Sequence, residues 1–157
     1  MGNSDSTYFK DRSFVNKVLF PAPNPPQYTP RDFPILWLPR HPGAKSNYSI
    51  PCIFLHHPKA EWLVVYTHGN ACDLGSMHDE LESYAEDWEV HILAFELPGY
   101  GFNQAQANET TVNSDIRDVY RFVTEVWRWP TERLIFFGRS IGTGPTLKIA
   151  ADLHDEA

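Results

Sequence analysis

Cysteine is scarce in this 157-residue chain: Cys52 and Cys72 are the only two, and no secretory leader precedes them. Two separated thiols exclude a disulfide framework and predict reduced side chains, packed as small hydrophobes, in a cytoplasmic setting. No apolar stretch approaches the ~20 residues of a membrane-spanning helix. Like charges never run to five in a row and the net charge is −7, so a nucleic-acid partner has no electrostatic footprint here. Metal-ligand spacing is missing too: His56, His57, His68, His78 and His91 form neither H-E-x-x-H nor a Cys/His pair pattern. Gly99-Tyr100-Gly101 lacks the rest of a G-x-G-x-x-G fingerprint. No cofactor and no metal are therefore expected. What is there, 42% hydrophobic and 21% charged residues, is the composition of a single soluble domain around one core.

The chain opens Met1-Gly2-Asn3-Ser4-Asp5-Ser6, which fits M-G-x-x-x-[ST], so removal of Met1 exposes Gly2 for N-myristoylation. One myristoyl chain binds membranes only marginally, on the order of 10⁴ M⁻¹. Lys10, Arg12 and Lys17 add little, offset by Asp5 and Asp11. The expectation is a cytoplasmic protein in loose, peripheral contact with the cytosolic face of membranes. Five prolines follow between Phe20 and Pro30; they fix φ and remove donors, which predicts an extended arm wrapping the domain edge. Residues 1–30 thus read as a lipidation signal and Pro-rich arm, and residues 31–157 as the domain.

Within the domain, Phe33 to Leu38 and Ile50 to Leu55 read as an antiparallel pair about a Pro42-Gly43 turn. Trp62 to Tyr66 and Val90 to Phe95 are near-continuous apolar runs, as strands covered on both faces should be. Met77, Leu81, Tyr84 and Trp88 make one helical stripe, with Ser76 and Asp79 read as its capping box. Val112, Ile116, Val119, Tyr120, Val123 and Trp127 make a second, ended by Pro130. Both stripes are read as core. Alternation of strands and helices predicts an α/β domain with a mostly parallel sheet and helices on both faces.

Three loops fall at the carboxyl ends of successive strands, where open α/β sheets place their sites. They are Thr67 to Asp73, Glu96 to Gly101, and Gly138-Arg139-Ser140-Ile141-Gly142, which follows the apolar run Leu134 to Phe137. The last is a G-x-S-x-G turn, in which Gly138 and Gly142 leave room for a sharp strand-to-helix bend that presents the Ser140 hydroxyl as a nucleophile. Ile141 then offers its N–H at a helix start, where partial positive charge suits a developing oxyanion. The second donor is expected from the N–H of Asn70 or Ala71, after Gly69. His68, immediately after its strand, is read as bracing that loop, not as a base.

These motifs resemble the α/β-hydrolase superfamily and, within it, the alpha/beta-hydrolase-domain-containing protein 17 family of serine hydrolases. The likeness rests on His68-Gly69-Asn70-Ala71, Asp73-Leu74-Gly75, Gly99-Tyr100-Gly101 and Gly138 to Thr146. By that resemblance Ser140 is the nucleophile, Ile141 an oxyanion donor, and the reaction is thioester hydrolysis that removes palmitate from membrane-associated proteins. The resemblance departs at the N-terminus, where the family carries a cysteine cluster and this chain a myristoylation signal. Arg139 also stands where a neutral residue is usual.

A serine of this kind needs a histidine and an acid from later segments, yet only 17 residues follow Ser140. His154 lies 14 residues on, about 21 Å along a helix and out of reach. Asp152, Asp155 and Glu156 read as a solvated helix end. The chain is therefore expected to be the N-terminal part of such a fold, weak or inactive alone, with Leu134 to Phe137 left as an exposed edge. The expected partner is an acylated protein or lipid-like ester. The competing readings are a non-catalytic myristoylated interaction protein, and a lipase, esterase or peptidase on the same scaffold.

Overall fold

The computed structural model of the chain describes residues 12–42 and 48–156. Gly2 and its myristoylation motif, and Gly43 of the expected turn, lie outside the described residues. An α-helix at Arg12–Leu19 (α1) precedes the Pro-rich arm. Then come β1 (Leu36–Leu38), β2 (Ile50–Leu55), β3 (Leu63–Thr67), α2 (Leu74–Trp88), β4 (His91–Phe95), α3 (Glu109–Arg121), β5 (Leu134–Gly138) and α4 (Thr143–Asp155).

The sheet order is β1-β2-β4-β3-β5. β4, β3 and β5 are mutually parallel; β2 pairs antiparallel with both β1 and β4, so it alone runs against the rest. Period-two alternation sorts β3 and β4 onto two cores. Leu63, Val65, Leu93 and Phe95 meet Val112, Ile116, Val119 and Ile149 from α3 and α4. Val64, Tyr66, Ile92 and Ala94 meet Leu74, Met77, Leu81 and Ala85 from α2. Burial on both faces is why these strands read as unbroken apolar runs. Among the described residues β5 pairs only with β3 and forms one edge of the sheet; its Ile135 and Phe137 remain 40% and 38% exposed.

Several local expectations need correction. Residues 1–30, expected as a lipidation signal and extended Pro-rich arm, include the helix α1 ahead of the prolines. β1 is three residues long and does not begin at Phe33: Pro34 cannot donate to a ladder, and the Phe33 ring stacks on Tyr28 and His78 instead. The cap of α2 is Asp73, whose carboxylate accepts from the Ser76 N–H (2.9 Å) while the Ser76 hydroxyl accepts from the Asp73 N–H (2.9 Å). Ser76 thus closes the box and does not open it, and Asp79 is exposed. Trp88 is not core; it is 43% exposed and lies face to face with Tyr84 at 4.6 Å. The second stripe leaves the α-helix after Arg121 and passes through a wide π turn over Phe122–Val126. Chain reversal at Arg128, with φ of +55°, ends it ahead of Pro130. Asp152 and Glu156 are not merely solvated, because both pair with Arg117 on α3, at 2.8 and 2.9 Å.

The arm is tied down by side chains from the domain. The Gln27 N–H donates to Asp73 Oδ2 at 2.6 Å, so one carboxylate caps α2 and anchors the arm. Tyr28 is 4% exposed and donates its hydroxyl to Glu96 Oε2 at 2.7 Å. Among the described residues no helix is long and apolar enough to cross a membrane.

Candidate active site

Parallel pairing of β4, β3 and β5 brings the three loops to one end of the sheet, side by side. β5 ends at Gly138, a single 3₁₀ turn covers Ser140–Gly142, and α4 begins at Thr143. Ser140 at the bend has φ of +53° and is exposed. An L-residue in the left-handed region costs about 1–2 kcal/mol, which surrounding contacts must hold in place. They do so closely. A Cβ on Gly142 would come within 2.3 Å of the Thr67 carbonyl oxygen, and one on Gly138 within 2.4 Å of the Gly142 carbonyl oxygen. The Arg139 N–H donates to Thr67 O at 3.0 Å and the Thr146 hydroxyl to Gly142 O at 2.8 Å. Only glycine at both ends lets strand, turn and helix close on β3 in this way.

The loop after β3 stands against that turn: a methyl on Gly69 would lie 3.4 Å from Ser140 Cβ. Asn70 and Ala71 follow directly, Ala71 with φ of +57°. Asn70 is held from two sides, accepting from the buried Tyr100 hydroxyl at 2.9 Å and donating to the Leu19 carbonyl at 2.9 Å. Tyr100, from the middle loop, was read only as part of a motif; here it braces the first loop. Ile141 is half-buried, at the start of the turn that feeds α4.

His68 is fully buried. Its Nε2 accepts from the Leu97 N–H at 3.1 Å, which leaves Nδ1 to donate to the Gly69 carbonyl at 2.9 Å. Both ring nitrogens are thus used in linking the middle loop to the first. Glu96, also fully buried, places Oε1 3.0 Å from the same Nε2 without receiving a hydrogen bond there, while Oε2 accepts from Tyr28 and from the Leu74 N–H. Burial first, then the Glu96 charge, pushes the Tyr28 phenol far above its usual range. The chain of contacts from Tyr28 through Glu96 and His68 to Gly69 reaches the loop beside Ser140. Sequence reading missed Tyr28, because nothing local marks a tyrosine in an extended arm as a core residue.

Arg139 is drawn toward α2, where its guanidinium meets Glu80 at 2.9 Å. His154 is exposed near the end of α4, whose helix persists to Asp155 and keeps it away from Ser140. A second feature missed in the sequence is an apolar cavity of about 500 Å³ next to the turn. Ile141, Pro145 and Leu147 line it from the turn and α4, Leu97 and Val112 from the opposite side, and Phe20 from the arm.

β5 thus ends in a strained, exposed serine, with Gly69 of the loop after the adjacent strand against it. Solved structures share this fold. An esterase from Pyrococcus furiosus superposes with a TM-score of 0.60 at 14% identity, over 77% of this chain and 46% of its own. The thermostable carboxylesterase EstE1, from a metagenomic library, gives 0.58 at 16% identity, over 78% and 42%. The chain has an α/β-hydrolase fold, in part.

Among curated sequences, this hydrolase fold is similar to human alpha/beta hydrolase domain-containing protein 17B, 29% identical over 73% of the chain and 40% of the relative. Mouse protein 17C is 26% identical over 80% of the chain and 39% of the relative. Caenorhabditis elegans aho-3 is 28% identical over 60% and 28%. The chain therefore spans about two fifths or less of the length of these relatives. No protein-family profile matches it.

Proposed function

We propose that this chain carries the nucleophile and oxyanion donors of a serine hydrolase acting on acyl thioesters, with acylated, membrane-associated proteins as substrates. The observation that supports this most is Ser140 itself, exposed at φ of +53° with Gly69 against it. In the proposed reaction the Ser140 Oγ attacks the acyl carbonyl carbon and gives its proton to solvent water. The resulting oxyanion takes hydrogen bonds from the N–H groups of Ile141 and of Asn70 or Ala71. Collapse of the tetrahedral intermediate breaks the carbon–sulfur bond, the thiolate takes up a proton, and water then hydrolyses the acyl-serine ester.

Among the described residues no base is placed beside Ser140. His68 has both nitrogens engaged with main chain, and His154 stands off along α4. A serine site without its base loses about 10⁶ in turnover and retains ~10³ to 10⁴ over water from oxyanion stabilisation and binding. The 157-residue chain is accordingly proposed to turn over slowly by itself. The likeness to the domain 17 proteins supports the hydrolase class, and the apolar cavity beside Ile141 suits an aliphatic acyl group.

Single-turnover release of palmitate from a palmitoyl-cysteine peptide tests the reading. Added imidazole, supplied as the base, should speed release by the wild-type chain and not by Ser140→Ala, and equal rates in its presence would remove Ser140 from the chemistry. Faster cleavage of the matching oxygen ester would withdraw the thioester assignment while keeping the hydrolase.

A further inference from the structure

We propose that the apolar cavity beside Ser140 is a docking site for the chain's own N-terminal lipid, a myristoyl group on Gly2. Three independent observations meet there. The cavity, about 500 Å³, falls within the ~300–1,000 Å³ of pockets that enclose small ligands. Its walls are aliphatic and aromatic, with Phe20, Val112, Ile141, Pro145 and Leu147 prominent, and its two charged members, Glu109 and Lys148, are of opposite sign. Such a lining suits an uncharged hydrocarbon chain. Leu147, 70% exposed, forms part of the wall at the surface.

The second observation is where the N-terminal part of the chain enters. Phe20 is itself a wall of the cavity, and the carbonyl of Leu19 is held by Asn70 Nδ2 at 2.9 Å. The last residue of α1 is therefore fixed at the site. α1 has eight residues, about 12 Å of helix. From Gly2 to Asp11 the ten residues preceding α1 can extend up to ~33 Å, more than enough to double back along α1 to the cavity. The third observation is the M-G-x-x-x-[ST] start, which neither the fold nor the proposed reaction uses.

The modification forms one amide bond. After hydrolysis of Met1, the Gly2 α-amino nitrogen attacks the carbonyl of myristoyl-coenzyme A, with loss of the coenzyme A thiol. A tethered lipid then faces its cavity at an effective concentration on the order of millimolar. The competing membrane offers a single myristoyl chain only ~10⁴ M⁻¹. Lodged beside Ile141, the lipid lies where the acyl group of a substrate would have to enter, so docking and substrate binding exclude one another. The inference goes beyond the hydrolase reading and does not require Ser140 to react.

The test is to co-express the full chain with an N-myristoyltransferase in the presence of ¹³C-labelled myristate and to confirm acylation of Gly2 by intact mass. Isotope-filtered NMR should show contacts from the acyl chain to Val112, Ile141 and Leu147. Phosphatidylcholine vesicles should bind the acylated chain about tenfold more weakly than ~10⁴ M⁻¹, the factor expected if nine-tenths of the lipid is docked. Val112→Trp, which fills the cavity, and Leu147→Asp, at an exposed wall position, should both restore full vesicle binding. Failure of Gly2 to be acylated, absence of those contacts, or full vesicle binding unchanged by Leu147→Asp would overturn the proposal. Ser140→Ala should leave the contacts intact, which separates this result from the fate of the hydrolase reading.

Discussion

Strain at Ser140 can be weighed by comparing two substitutions that both delete the hydroxyl. With φ of +53°, Ser140→Ala keeps an L-residue in the left-handed region and retains its cost of about 1–2 kcal/mol. Ser140→Gly removes that cost but adds unfolded-chain entropy worth about 0.4–1 kcal/mol. The difference leaves glycine the more stable by roughly 0.5–1 kcal/mol. At an ordinary helical position the order is reversed, with glycine the worse by about 1 kcal/mol. The sign alone therefore reports on the backbone. Urea unfolding of the two variants, followed by tryptophan fluorescence, gives the difference directly. In thermal unfolding it corresponds to roughly 1–4 °C for a chain of this size. Ser140→Ala equal to or more stable than Ser140→Gly would mean that the bend is not strained, and the argument for a hydroxyl held out by the backbone would fail.

Arg40→Ala should destabilise the fold by about 3–5 kcal/mol near neutral pH, because it strands the fully buried Asp115 carboxylate, which Arg40 grips with both Nη atoms. Burial already raises the Asp115 carboxyl to about 6 against the pull of Arg40 and Asn103. The folded state therefore holds the proton more tightly than the unfolded one, so this group's favourable contribution is full below about pH 4 and is lost as pH rises through 6. Without Arg40 the carboxyl rises further and that fall extends to higher pH, so urea midpoints of wild type and variant should converge in acid; a gap constant with pH would contradict this. Tyr28→Phe should cost about 1–3 kcal/mol by leaving Glu96 Oε2 short of a donor, measured by the same unfolding, and a neutral result would remove the arm from the account of the site. Ile135→Lys on the exposed edge strand should lower light scattering on concentration without loss of stability; unchanged scattering would show that the edge does not drive association.

Much of this architecture was legible in the chain because its strands are strongly typed. Leu63 to Thr67 and His91 to Phe95 are buried on both faces and read as unbroken apolar runs, and the three loops follow from where those runs end. Gly138 and Gly142 stood out in the sequence, and in the fold each is closely approached by main chain that a Cβ would strike. What escaped depends on contacts far apart in sequence. Phe33 looks like a strand residue until Tyr28 and His78 are known to stack on it. Asp73 could be recognised as the cap only once α2 was known to begin at Leu74, since Ser76 and Asp79 offered a plausible but later box. Tyr28 and Phe20, in an arm defined by prolines, carry no periodicity at all, yet one reaches the buried Glu96 and the other walls the cavity. The loop after β3 was marked by its motif, whereas its bracing by Tyr100 and His68 follows only from the sheet placing β4 beside β3.

The central claim is that the Ser140 hydroxyl is a nucleophile facing main-chain donors. Its most direct measurement is peptide mapping of the wild-type chain after exposure to a fluorophosphonate with imidazole supplied as the base. The account predicts one adduct, on Ser140, absent from Ser140→Ala and abolished by prior unfolding in urea. A folded chain left unmodified at Ser140, or one modified equally at other serines, would contradict it.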